Sequence, residues 1–399
     1  MAVACMTSCW DKTVGLGDAD TITWRRASHL DPSRVKCEYV DVVDADETAS
    51  TPSKMTPIAS FTPAATFRLK SSTPSFYEVI RRCNKFDRDL GGLWEFCLLD
   101  NLRPVGYMLP ESVASIMWEG TGFHVFKAER RVHLMVDMGR GGDVVDVCRD
   151  EFVDLCEKNV GVVGGLGKWL GNKADYHPIR GLDSHLTGLQ MPSPLRGVFG
   201  IVTSGVHMNL YTMKVVNGRP KMHVWVSRRS DKVTYAGKLD QVVAGAMDPG
   251  DAMDPLRTLQ REAMEEARLA VEMASRRVTA DGIVVGTVEH GPRITFYDRK
   301  DPTAGCERGQ LEPGIRFTFD LEVDASFRPR PGEPEAATDF VLKAVDEVKR
   351  DLMCSEWKPN CGLVMLDFLL RKGQIRPEDD ERYGLLKQGL QRELPFVIV

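Results

Sequence analysis

Three glutamates are crowded into the run REAMEE, residues 261–266. On a helix Glu262, Glu265 and Glu266 fall at i, i+3 and i+4, so their carboxylates are neighbours beside an apolar stripe that would pack on a sheet. Like charges at this spacing are destabilising unless a cation offsets them. A solvated helix face, partly neutralised by Arg261 and Arg268, is the alternative, but oxygen ligands of this kind suit Mg²⁺ or Mn²⁺.

The segment before this helix strengthens the metal interpretation. The run LDQVVAGA is typical of a strand, and a glycine- and proline-containing loop, MDPGDAMD, joins it to a helix predicted from Pro255 to about Met273. Such a loop can bring a backbone carbonyl to the cation that the carboxylates hold, and Ala246 is the candidate.

The run REAMEEARL resembles the core of the Nudix box, G-x5-E-x7-R-E-U-x-E-E-x-G-U, where U is a bulky aliphatic residue. Arg261, Glu262, Glu265 and Glu266 occupy the REUxEE positions, and Leu269 the final aliphatic one. The resemblance implies that the glutamates bind divalent cations and that Arg261 holds them by a salt bridge. It also implies metal-assisted hydrolysis of a diphosphate.

The chain departs from this box at three positions, of which the first is Met247 at the box's first glycine. Met253 stands where the box has its loop glutamate, and Arg268 where it has its late glycine. Anchoring the loop on Gly245 instead requires extra residues before the helix, and Asp251 or Asp254 then replaces the glutamate. Metal binding through the three helix glutamates survives these departures.

Further segments resemble one eukaryotic Nudix subfamily over roughly residues 75–375. Its members carry an N-terminal domain related to thiamin pyrophosphokinase, and the resemblance implies that thiamin diphosphate or its oxidised analogues are the substrates. The segments that carry the resemblance are GYMLPESV, RGVFGIVTSGVHMNLY, VWVSRRSDKVTYAGKLDQVVAGA and KPNCGLVMLDFLLRKG.

A basic loop next to the site is expected to contact the diphosphate. Arg228, Arg229, Lys232 and Lys238 are the candidates, with Tyr235 to stack on an aromatic heterocycle. A charge cluster at a hairpin end is the alternative for the basic residues.

Other side chains keep two interpretations. Glu312, Glu333 and Glu335, in predicted loops, are candidates for the general base or are merely solvated. His207 is favoured as a core histidine over a substrate contact, and Arg196 fits either role.

Bulk composition limits the function classes. The chain has 399 residues, a net charge of -5 and a sequence pI near 6.0, which gives no global attraction to nucleic acid or anionic lipid. Ten cysteines without a CxxC pair favour reduced thiols, and no histidine spacing indicates zinc. We expect a cytoplasmic monomer or homodimer that binds a small diphosphate, without nucleic-acid or membrane partners.

The predicted fold class is α+β. Residues 1–70 are rich in Asp, Ser, Thr and Pro and predict a flexible leader. Residues 71–195 predict a smaller α+β domain, and residues 196–399 a Nudix α/β/α sandwich with a mixed sheet. The glycine-dense run GVVGGLGKWLGN is interpreted as a flexible loop.

Two other functions compete with thiamin diphosphate hydrolysis. The run SRRSDKVTYAGKLD also resembles the start of isopentenyl diphosphate isomerase, so a prenyl diphosphate is an alternative substrate. A non-catalytic Nudix-fold binding protein is the alternative from another class, motivated by Met253 and the lengthened loop.

Overall fold

The computed structural model describes residues 75–86, 89–137, 142–173, 175–332 and 337–396. The predicted leader, residues 1–70, therefore lies outside the described residues, as do Glu333 and Glu335.

The first part of the described chain builds a four-stranded sheet in the order β2-β1-β4-β3. Strands β1 and β4 run parallel and the other pairs antiparallel, and α3 covers the sheet through Phe152 and Leu155. A separate two-stranded ribbon joins β5 to β6. The elements are α1 (Tyr77–Arg82), β1 (Trp94–Leu98), β2 (Asn101–Met108), α2 (Pro110–Ser115), β3 (Phe123–Phe126), β4 (Arg131–Leu134), α3 (Val144–Lys158), α4 (Leu166–Asn172), β5 (Tyr176–Pro178) and β6 (Gln190–Pro192).

The second part builds a mixed seven-stranded sheet, with the path β14-β15-β7-β8-β16 and two short strands, β10 on β7 and β9 on β8. Strands β15 and β7 are parallel and the other pairs antiparallel. The elements are β7 (Thr203–Val216), β8 (Arg219–Arg229), β9 (Leu239–Gln241), β10 (Val243–Ala246), α5 (Pro255–Ala267), β11 (Leu269–Val271), β12 (Arg277–Ala280), β13 (Ile283–Thr287), β14 (Glu289–Arg299), β15 (Leu311–Glu322), β16 (Ala337–Ala344), α6 (Val345–Met353), α7 (Pro359–Arg371) and α8 (Tyr383–Gly389).

Both faces of this sheet are buried under helices. Alternate residues of β7, such as Val206 and Met208, pack with Leu259 of α5, whereas Val224 and Val226 of β8 pack with α7 on the opposite face. This side-chain alternation follows from the two-residue period of a strand. The predicted α+β class and α/β/α sandwich with a mixed sheet are confirmed.

Local sequence signals explain several elements. Asn217 and Gly218 adopt positive φ angles of 53° and 74°, as the predicted Asn-Gly turn between β7 and β8 requires. Helix α1 packs with α7 and α8 against the second sheet, through Val79 and Ile80. None of the described helices is long and apolar enough to cross a membrane.

Three predictions of elements were wrong. The glycine-dense run contains α4, whose Leu166 and Trp169 are buried. The run LDQVVAGA is two strands, since β9 pairs with β8 and β10 with β7. Glu312 lies within β15 instead of a loop.

Helix α5 ends at Ala267, earlier than predicted, because Arg268 takes a left-handed conformation with φ 54°. A left-handed residue ends a helix and is usually glycine. The late glycine of the Nudix box thus corresponds to a helix C-terminus, which this chain forms with a strained arginine.

We predict that Arg268→Gly stabilises the protein by about 0.5–1 kcal/mol. Left-handed strain of about 1–2 kcal/mol disappears, and the added backbone freedom of glycine costs somewhat less. Urea unfolding measures the change. As a matched control, Met264→Gly at an exposed position inside α5 should destabilise by about 1 kcal/mol, and stabilisation there or destabilisation at position 268 would contradict the C-terminus argument.

Candidate active site

The loop between β10 and α5 has a defined geometry. Asp248 accepts a hydrogen bond from the Gly250 amide at 2.8 Å and starts a short 3-10 turn. Asp254 caps α5 by accepting from the Leu256 amide at 2.8 Å. Between these turns Ala252 and Met253 adopt left-handed conformations, which accommodates the extra residues that the sequence implied.

Arg261 ties this loop to the helix. Its Nη2 and Nε contact the Asp251 carboxylate at 2.9 and 3.2 Å, and its Nη2 also donates to the Ala246 carbonyl at 3.0 Å. Its Nη1 contacts Glu262 at 2.9 Å and Glu265 at 3.1 Å. Asp251 is buried with 5% exposure, so Asp251, and not Asp254, takes the place of the loop carboxylate.

The three glutamates differ in environment. Glu262 is buried, and its carboxylate lies so close to Gly245 that a Cβ at that position would overlap it. Glu266 accepts a hydrogen bond from the Ala244 amide at 2.7 Å. Glu265 stays 42% exposed. The carboxylates of Glu262 and Glu266 thus lie against β10, whereas the carboxylate of Glu265 is exposed to solvent.

The pKa values of Glu262 and Glu266 are both raised. Burial raises the pKa of Glu262 to about 7 in spite of Arg261, with the charges of Glu265 and Asp251 adding to the effect. Burial together with the Glu262 charge also raises the pKa of Glu266 well above its ordinary range. Oxygen donors gathered at this cost fit a hard divalent cation such as Mg²⁺.

The carboxylate of Glu262 opens onto a polar pocket that Gly245 and Ala246 also line. Four basic side chains line other parts of it. They are Arg196, Lys300, Arg316 and Lys358.

Two glutamates balance much of this positive charge. Arg196 contacts Glu307 at 2.6 Å, and Arg316 contacts Glu312 at 2.7 Å. Lys300 pairs with both glutamates. Lys358 has a weaker partner, because its Nζ lies 4.0 Å from Asp240.

Glu312 is a buried ionised carboxylate. Burial alone would raise its pKa, but Lys300 and Arg316 hold the pKa well below its ordinary range. A carboxylate held this strongly to cations is a weak base, so its ion pairs favour a positioning role. Its role as general base remains a prediction.

The basic loop at residues 228–238 was expected to contact the diphosphate, and its basic residues have other contacts in the structure. Arg228, Arg229, Lys232 and Lys238 do not line this pocket. Arg229 binds Asp240 at 2.7 Å, Arg228 donates to the Gly237 carbonyl, and Lys238 donates to the Ser355 carbonyl. The contacts of Arg228 and Arg229 lie within the hairpin, and the predicted contact of the four residues with a diphosphate remains a prediction. Tyr235 is buried and does line the pocket.

His207 lines the pocket floor and is buried, with Nδ1 2.8 Å from Gln241 Oε1. Cys361 and Asp240 lie close to it. Both Asp240 oxygens are already engaged, by Arg229 and by the Gln241 amide. We therefore assign this cluster no metal.

Sequence reasoning missed most of the pocket's cations. Glu312 and Arg316 stand four residues apart on one face of β15, a strand whose other residues are mainly apolar, and that is a usable signal. Lys300 and Lys358 carry no such signal, because only the tertiary structure brings them to this pocket.

No family model matches the chain. It is 33% identical over 202 residues, half of its length, to an uncharacterized protein of Saccharomyces cerevisiae, and the aligned part spans 56% of that protein. Nudix hydrolases 20 and 24 of Arabidopsis thaliana, both named as chloroplastic, are each 26% identical over 331 and 332 residues. These alignments cover 81% and 80% of the chain and 79% of each relative.

Among solved structures, a C. elegans Ap4A hydrolase is 10% identical over 43% of this chain and 99% of its own, with a TM-score of 0.28. The two Arabidopsis relatives, aligned over four fifths of the chain, support a place in the Nudix hydrolase superfamily.

We predict that Gly245→Ala removes divalent-cation binding. The new methyl group displaces Glu262 from β10 and separates the paired carboxylates. Calorimetric titration with Mn²⁺ measures the change, which we expect to be at least about 10-fold in affinity. Gly250→Ala in the same loop is the control and should bind Mn²⁺ like the wild type, since a Cβ there meets only Asp248.

We predict that Asp251→Asn weakens Mn²⁺ binding about 10-fold, because residues that orient metal ligands typically contribute that much. Released from Asp251, Arg261 pairs more fully with the glutamates and competes with the cation. The matched control is Asp254→Asn, which keeps the helix cap. Equal loss of affinity in both variants would contradict the stand-in role of Asp251.

Proposed function

We propose that the chain is a divalent-metal-dependent Nudix diphosphohydrolase, which converts a small organic diphosphate to its monophosphate and phosphate. One observation carries the proposal. The buried Glu262 and the half-buried Glu266 both contact β10, at Gly245 and at the Ala244 amide, and Glu262 lines a pocket that also contains Lys358 and Arg316.

Glu262 and Glu266 would hold Mg²⁺ or Mn²⁺, with Glu265 at the exposed rim and the Ala246 carbonyl as a further oxygen donor. When bound, such a cation polarises a phosphoryl oxygen and lowers the pKa of a bound water. Arg261 fixes the helix relative to the loop, so the carboxylates keep their spacing.

Lys358 is placed to stabilise charge on the diphosphate. It lines the pocket, and its positive charge lowers the pKa of Glu266 and that of Glu312. A cation at this position offsets the negative charge that develops on the departing phosphate. Arg316 and Lys300 add to the positive potential that attracts a diphosphate.

Thiamin diphosphate or an oxidised analogue is the substrate we favour, on the strength of the subfamily resemblance. The pocket supports a polar organic group over a prenyl tail, because charged and hydrogen-bonding side chains dominate its lining. The retained glutamates favour catalysis over a binding-only role.

The proposal predicts Mg²⁺-dependent phosphate release from one class in a panel of thiamin diphosphate, its oxidised analogues, prenyl diphosphates, ADP-ribose and nucleoside diphosphates. Glu262→Gln and Glu266→Gln should each lower kcat about 100-fold or more, since each removes a metal ligand. Glu272→Gln, an exposed carboxylate beyond the helix, should retain wild-type rates. No release from any compound with Mg²⁺ or Mn²⁺ would favour the binding-protein alternative.

A further inference from the structure

His177 reaches the pocket from outside the seven-stranded sheet. It lies on β5, in the two-stranded ribbon that precedes the sheet in the chain. Its side chain is 2% exposed, and it lines the pocket with its neighbour Tyr176. The predicted N-terminal domain thus supplies part of the pocket wall.

The buried Nε2 of His177 has no hydrogen-bond partner within the described residues. The other histidine of the pocket, His207, is by contrast bonded to Gln241. Buried polar atoms are nearly always paired, so an unpaired atom in a pocket wall indicates a ligand contact.

The surroundings keep this imidazole neutral. Burial, together with the charges of Arg196 and Arg316, lowers the pKa of His177 to about 3. A neutral imidazole offers one donor and one acceptor, unlike the cations around it. It therefore suits an uncharged polar atom of a ligand better than a phosphate oxygen.

The wall next to His177 is nearly balanced in charge. Arg196 is paired with Glu307, and Arg316 with Glu312. Glu262 of α5 and the weakly paired Lys358 line the same pocket, as do Gly245 and Ala246 of β10. The wall at His177 presents both donors and acceptors, which suits a polar organic group.

We propose that His177 is a specificity-determining residue, whose imidazole hydrogen-bonds a nitrogen or oxygen of the substrate's organic group and selects polar heterocyclic diphosphates. The inference rests on the proposed function for the position of the diphosphate at the α5 end. It adds that the ribbon β5–β6 recognises the organic part.

The test is His177→Phe, which keeps an aromatic ring and removes both nitrogens. Binding of thiamin diphosphate and of methyl diphosphate is measured by calorimetry in EDTA, and hydrolysis of both with Mg²⁺. Affinity and kcat/KM for thiamin diphosphate should fall about 10-fold, as expected for one lost hydrogen bond. Methyl diphosphate, which has no heterocycle, should change less than about two-fold, within the scatter of a lost neutral contact. His177→Asn should restore part of the preference.

The matched control is His133→Phe. His133 is also buried with an unpaired Nε2, but it lies on β4 and does not line the pocket, so its loss should leave both ligands unaffected. Wild-type protein with no preference for thiamin diphosphate over methyl diphosphate, or a His177→Phe protein that keeps the preference, would overturn the inference. Heterocycle-dependent binding without hydrolysis would support it and refute the proposed activity alone.

Discussion

The ion pair between Arg261 and Asp251 fixes the distance between a loop and a helix, and the rest of the candidate site depends on that distance. The guanidinium spans the loop carboxylate, the Ala246 carbonyl and two helix glutamates. Without it, the loop carbonyl and the glutamates would lose their relative positions. One partly exposed side chain thus links the strand, the loop and the helix.

Placing the buried Glu262 and the half-buried Glu266 at the core margin is costly, and the neighbouring backbone limits how they can relax. Gly245 leaves room for Glu262, and the Ala244 amide fixes Glu266. Carboxylates that are preorganised in this way, with raised pKa values, have more to gain from a divalent cation than carboxylates on a free helix face. The apolar stripe of α5 makes this possible, since Leu259 and Ala263 anchor the helix to the sheet.

Sequence reasoning predicted the parts that local spacing determines. The neighbouring carboxylates at i, i+3 and i+4 follow from the periodicity of a helix, and the Asn-Gly turn follows from the backbone preferences of its two residues. The α/β/α sandwich was implied by the family resemblance. Sequence reasoning missed the residues that reach the pocket from distant parts of the chain. The basic run at 228–232 suggested phosphate contacts, but Arg229 pairs with Asp240, whereas Lys300 and Lys358 reach the pocket from separate elements.

The length of the loop between β10 and α5 was also difficult to interpret from the sequence. Met253 at the expected glutamate position suggested a degraded box, yet two left-handed residues, Ala252 and Met253, absorb the insertion and leave Asp251 in contact with Arg261. Spacing counted along the sequence could not reveal this, because a loop can accommodate extra residues without moving its ends.

The most direct test is anomalous diffraction from crystals grown with Mn²⁺. Our account predicts one or more peaks within coordination distance of the Glu262 and Glu266 carboxylates, close to the Ala246 carbonyl. A peak confined to another site, such as the cluster of His207, Asp240 and Cys361, or no peak at saturating Mn²⁺, would contradict it.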